Sequence, residues 1–110
     1  MSIKRITAIL PIELMASIEE QLRSVGVPGV TVEKVHGYGE HPNYFRRDLM
    51  QNNVRLVLYT SDDRVDDILS AISECARDSG IRSGVIAVES IDRLVHLFGG
   101  AEVDPDLLSD

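Results

Sequence analysis

The 110 residues suffice for one domain with a single core, and 44% apolar against 26% charged residues is the balance of an ordinary globular domain. A formal net charge of −7 lacks the basic footprint that phosphate backbones require, so no nucleic-acid partner is expected. One cysteine, Cys75, cannot close an internal disulfide, and no apolar run approaches the roughly 20 residues of a membrane span.

In chain order, the basic start MSIKR leads into an apolar run too short for a signal sequence, so a cytoplasmic location without membrane insertion is expected. Ile3–Leu10 reads as a strand ending at Pro11, where a helix can begin. Leu14, Met15, Ile18, Leu22 and Val25 recur at helical spacing over 12–25, and Gly26 closes that helix. Val30–His36 is a second strand. A polar, glycine-bounded loop follows, 37–53, longer than the dozen or so residues usual in compact domains, and loops of that length are usually functional or disordered. The third strand, Val54–Thr60, puts Val54, Leu56 and Leu58 on one face and Arg55, Val57 and Tyr59 on the other. Ser61-Asp62-Asp63 has the chemistry of a helix N-terminus, Val65, Ile68, Leu69, Ile72 and Ala76 form the stripe of helix 62–78, and Gly80 ends it. Gly84–Glu89 is the fourth strand. Ile91–Phe98 reads as a short helical turn and an apolar segment, and the acidic tail 101–110 as frayed.

The pattern is strand–helix–strand written twice, each copy closing with a glycine, a short turn, a second glycine and a strand ending in Glu (Glu33, Glu89). It predicts an α+β, ferredoxin-like βαββαβ domain over 1–100. A four-stranded antiparallel sheet carries two helices on one face, the long loop joins strands 2 and 3, and the tail 101–110 follows. The uncovered face keeps Ile9, Val57, Tyr59 and Ala87, so it is expected to pack against other subunits. It lacks the stacking aromatics of a ferredoxin-like RNA binder.

Several residues have chemistry to offer. Gly37 and Gly39 bracket Tyr38 and would let backbone N–H groups approach a phosphate, or simply serve a strand end of unusual dihedrals. Arg46 and Arg47 suit an oxyanion, bicarbonate or phosphate, while Tyr44 and Phe45 suit contact with a protein partner. Arg82 and Ser83, in Gly80-Ile81-Arg82-Ser83-Gly84, could add side-chain donors to a turn. His41, beside Glu40 at the loop base, is placed to meet a ligand anion or act as a pH-sensitive hinge. The three histidines do not have zinc-site spacing, and no nucleophile elbow or phosphate-binding GxxxxGK[ST] loop is present, so neither a metal site nor catalysis is expected. Cys75 reads as a small buried residue.

Three stretches, GVPGVTVEKVHGYG (26–39), VRLVLYTSDDRVDDILSAI (54–72) and GIRSG (80–84), resemble the PII signal-transduction superfamily over about residues 3–100. The resemblance implies a homotrimer with adenine-nucleotide clefts between subunits, a T-loop over 37–53, and a protein target, a transporter or carbon-metabolism component, regulated through that loop. It adds Gly29, Thr31, Leu58, Tyr59, Gly80 and Gly84 to the nucleotide contacts. Some features depart from the family pattern. The loop is short, the usual lysine of the second turn is Val85, and the two arginines that usually clasp ATP phosphates fall at His96 and Phe98. Missing cations leave phosphate oxygens without donors, so AMP or ADP is expected ahead of ATP. These departures are similar to those of the carboxysome-associated, bicarbonate-responsive PII-like proteins, with bicarbonate as a second effector. The rival readings are a conventional nitrogen-regulatory PII protein and a CutA-like trimer that binds divalent metal.

Overall fold

A computed structural model describes residues 2–35 and 53–108. Strands β1 (Ile3–Pro11), β2 (Thr31–Val35), β3 (Asn53–Ser61) and β4 (Val85–Ile91) form one antiparallel sheet in the order β2-β3-β1-β4. Helices α1 (Met15–Ser24) and α2 (Val65–Ser79) each start through a 3-10 turn, Ile12–Leu14 and Asp62–Arg64. This is the expected α+β ferredoxin-like arrangement. The period-2 pattern of β1 and β3 directs Ile6, Ala8 and Leu10, with Val54, Leu56 and Leu58, toward Ile18 and Leu22 of α1 and Ile68, Ile72 and Cys75 of α2. All are buried, and Cys75 is the small core residue its position implied.

Both helices stop by the same device. Gly26 and Gly80 adopt φ of 87° and 71°, a region costly for a side chain. At each end one N–H reaches back three residues (Gly26 to Arg23, Gly80 to Arg77) and the next reaches back five (Val27 to Leu22, Ile81 to Ala76), the Schellman pattern. The repeat visible in the sequence is thus a repeated helix stop.

Three expectations need correction. First, Ser61 at the N-cap makes no side-chain hydrogen bond to the helix backbone. Ser61 Oγ donates to Asp63, while Asp62 accepts from Ser2 Oγ at 2.9 Å and donates its N–H to the Ser2 carbonyl at 3.0 Å. The cluster ties the start of β1 to the start of α2, and its charge still suits the helix dipole. Second, 91–98 contains no helix. β4 continues to Ile91, and a small hairpin follows, with Val95 bridged to Glu102 and Arg93 paired to Glu102 at 2.9 Å. Gly99 and Gly100, both at positive φ, make its turn, which strands Leu97 and Phe98 in solvent at 103% and 97% exposure. Third, the described part of the tail, 101–108, is not frayed. Pro105–Leu108 forms a 3-10 turn against β3. Asp104 accepts the Asp106 N–H on Oδ1 and the Leu107 N–H on its carbonyl, both at 3.0 Å, and proline fits the first turn position.

Candidate functional site

The sheet face opposite the helices is ordered in rows by strand register. Tyr59 and Arg5 lie opposite one another, as do Arg5 and Glu89. The next row runs across all four strands, Thr31–Val57–Thr7–Ala87, and the one after it is Glu33–Arg55–Ile9–Val85. Two cross-strand ion pairs frame the apolar centre: Arg5 with Glu89 at 2.7 Å and Arg55 with Glu33 at 2.5 Å. The two equivalent strand-end glutamates therefore take salt links. The Glu89 carboxylate, through its hydrogen bond and charge, raises the Arg5 pKa further, with a smaller contribution from Tyr59.

The residues attributed to a nucleotide site fall into two groups. Gly29, Thr31, Leu58 and Tyr59 share one shallow hollow of about 340 Å³ at the β2 edge, with Pro28, Val30, Val57 and Leu108. Strand alternation turns Leu58 into the core at 2% exposure, so it offers the hollow mostly backbone, whereas Tyr59 stands on the open face at 36%. A Cβ added to Gly29 would meet nothing within 4 Å. The second group, Arg82, Ser83 and Gly84, lines another hollow of about 340 Å³ at the β4 edge, over Leu14, Ile72 and Ile86, with Ser73 and Arg77 at its polar side. Gly80 precedes it as the helix stop. Gly84 has its own structural reason: at φ 118° its added Cβ would sit 2.6 Å from the Ile9 carbonyl oxygen. Val85 pairs with Ile9 in the ladder. His96 donates its N–H to the Ala101 carbonyl at 2.8 Å, and Phe98 stands at the hairpin tip.

The two groups cannot meet within one chain. β2 and β4 are the outer strands, and the row from Thr31 to Ala87 crosses three ladder steps, roughly 14 Å. Gly37, Tyr38, Gly39, Glu40, His41, Tyr44, Phe45, Arg46 and Arg47 lie outside the described residues. Sequence reasoning missed Leu108, Pro28, Val57, Ser73 and Arg77. The dipeptide Asp104-Pro105, a turn-starting signal, could have revealed the ordered tail that carries Leu108. Among the described residues no three metal-ligating side chains cluster, and no helix is long and apolar enough to cross a membrane.

Residues 3–97 match the family model described as Nitrogen regulatory protein P-II. The chain belongs to the P-II family. It is 30% identical over 106 residues to Nitrogen regulatory protein P-II of Pasteurella multocida, covering 90% of this chain and 95% of that protein. It is 27% identical over 104 residues to Nitrogen regulatory protein GlnK of Escherichia coli, covering 88% and 93%. The crystal structure of Arabidopsis thaliana PII bound to citrate superposes with a TM-score of 0.76 at 22% identity, covering 94% of this chain and 87% of that one, which is a likeness of fold. P-II membership agrees with the resemblance read from the three motif stretches. The relatives named here are nitrogen regulators, so the more specialised likeness to carboxysome-associated proteins gains no support from them.

Proposed function

We propose that this P-II family chain is a cytoplasmic signalling protein that acts by binding rather than turnover, sensing an adenine nucleotide at clefts between the subunits of a homotrimer. The observation that carries this reading is the separation of the two half-sites onto opposite edges of the sheet. A ring of copies that sets the β2 edge of one chain against the β4 edge of the next completes a cleft at every interface, and closed cyclic symmetry makes each cleft alike. One chain supplies Thr31, Tyr59 and the unobstructed Gly29. Its neighbour supplies Arg82 and Ser83.

AMP and ADP fit this cleft better than ATP, because Val85, His96 and Phe98 stand where the family pattern usually places cations. The 37–53 segment is the region we assign to ligand-dependent contact with a target protein, a transporter or metabolic enzyme. Gly37, Tyr38 and Gly39 face the phosphates in this reading, Glu40, His41, Arg46 and Arg47 serve a second anion, and Tyr44 and Phe45 contact the target. Regulation requires the ligand to bind one loop state better than the other.

Calorimetric titration with AMP, ADP and ATP, each with and without bicarbonate, tests the proposal. Micromolar AMP or ADP binding is the expected result. Strengthening by bicarbonate would join the chain to inorganic-carbon regulators, and indifference to it would leave the nitrogen role of its relatives. No binding of any nucleotide would overturn the reading.

A further inference from the structure

The hollow at the β4 edge exists because the helix layer stops short of that strand. Register sets Ile86 opposite Ala8 and Val88 opposite Ile6, on the helix side of the sheet. Ala8 and Ile6 are fully buried, yet Ile86 is only half-buried and Val88 is 42% exposed. Two small side chains, Ala8 on β1 and Ala76 on α2, line the resulting space of about 340 Å³, and Leu14, Ile18, Ile72 and Ile81 complete an apolar interior. The polar lining is of one kind. Ser73 and Arg77 stand on α2, Arg82 and Ser83 on the turn into β4, and among the described residues that line the hollow none carries a carboxylate. In a chain with 18 acidic residues against 11 lysines and arginines, two guanidiniums at one hollow are a local reversal of charge. Among the described residues the ion pairs use Arg5, Arg55 and Arg93, and neither Arg77 nor Arg82.

We propose that this hollow binds a small amphiphilic carboxylate, with its hydrocarbon body among Leu14, Ile18, Ile72 and Ile86 and its head group at Arg77. An apolar hollow alone would take a neutral hydrocarbon, and arginines alone would take any anion. Their juxtaposition selects a ligand that has both parts. A carboxylate matches the planar fork of a guanidinium, and the Ser73 hydroxyl beside it is a further donor. The volume lies at the lower end for ligand pockets, which fits a medium-chain or branched-chain acid rather than a long lipid. The last turn of α1 carries a comparable arginine, Arg23, but its hollow of about 220 Å³ is lined by Glu19 as well and lacks the one-sided charge. The nucleotide reading uses Arg82 and Ser83 at the rim and leaves the apolar interior free, so the proposal does not rest on it.

The test is NMR titration of the full-length protein, without nucleotide, with octanoate, octanol and acetate. Octanoate should saturate with a Kd of about 1 mM or tighter and move the amide signals of Ile72, Arg77, Gly84 and Ile86. Octanol, which lacks the charge, and acetate, which lacks the body, should each bind at least about tenfold more weakly. Arg77→Gln should weaken octanoate binding about tenfold, and Arg23→Gln should leave it unchanged. No saturable octanoate binding, or saturation that moves only signals elsewhere in the chain, overturns the proposal and leaves the nucleotide reading as it stands. Octanol or acetate binding as tightly as octanoate overturns the two-part ligand. Equal loss in both arginine variants, or loss in neither, overturns Arg77 as the head-group partner.

Discussion

Gly84 lies directly against the backbone of Ile9, with the Ile9 carbonyl oxygen 2.6 Å from where a Gly84 Cβ would stand. The close approach lets β4 enter the sheet beside β1. Gly29, at the corresponding place in the first strand–helix–strand repeat, has nothing within 4 Å of its own added Cβ and no such obligation. Gly84→Ala should therefore cost about 2–4 kcal/mol of stability through strain at positive φ and the backbone clash. Gly29→Ala should change stability by less than about 1 kcal/mol and weaken nucleotide binding instead. Urea denaturation of both variants with ADP titration of the second checks the contrast.

If the cleft is shared between chains, defects on opposite halves complement one another. Arg82→Ala and Thr31→Ala homotrimers should each bind ADP poorly. Unfolding and refolding them together in equal amounts should restore roughly a quarter of the wild-type sites, because that share of interfaces pairs two intact halves. A site built within one chain would recover nothing on mixing.

Cys75 is 6% exposed on the buried side of α2. Burial raises its thiol pKa, and the nearby Asp78, Glu74 and Glu20 push it the same way. Reagents that need the thiolate should label it slowly in the native protein at neutral pH and quickly once the protein is unfolded. Cys75→Ser, which buries a stronger polar group, should destabilise by about 1–3 kcal/mol. Rapid native labelling would count against this placement.

The hydroxyl of Ser2 holds the Asp62 carboxyl below its ordinary pKa. A group whose pKa is lowered on folding contributes stability above its unfolded value and loses it as pH falls through the folded value. Ser2→Ala should accordingly melt at a slightly lower temperature than wild type at neutral pH. The two melting curves should converge in acid below the Asp62 transition, and the Asp62 titration itself, followed by NMR, should move upward in the variant.

The strands and helices were legible because their signals are local. Alternation in Val54–Thr60 sorted core from open face, and Gly26 and Gly80 marked helix ends through the dihedrals they adopt. The hairpin around Gly99-Gly100 was not legible, because its apolar residues Leu97 and Phe98 suggest burial while the structure leaves them in solvent. Acidity and a proline both suggest a frayed tail, although Asp104-Pro105 sets a turn and Leu108, three residues on, lines the hollow beside β3. Gly84, which the resemblance adds to the nucleotide contacts, also answers to the Ile9 backbone, a close approach that only the sheet reveals. The separation of the two proposed half-sites follows from strand order, which single-residue patterns do not encode.

That strand order has a consequence for how the chain folds. Among the described residues β1 pairs with β3 and β4, and β2 with β3, so each of these ladders joins the first strand–helix–strand repeat to the second. Among the described residues neither repeat has a ladder between its own two strands. Collapse of the sheet must wait for contacts between distant parts of the chain, which favours slow, all-or-none acquisition of structure. A chain severed between Val35 and Asn53 would part the strands of all three described ladders while leaving each strand whole, a ready basis for a split protein that reports when its halves are brought together.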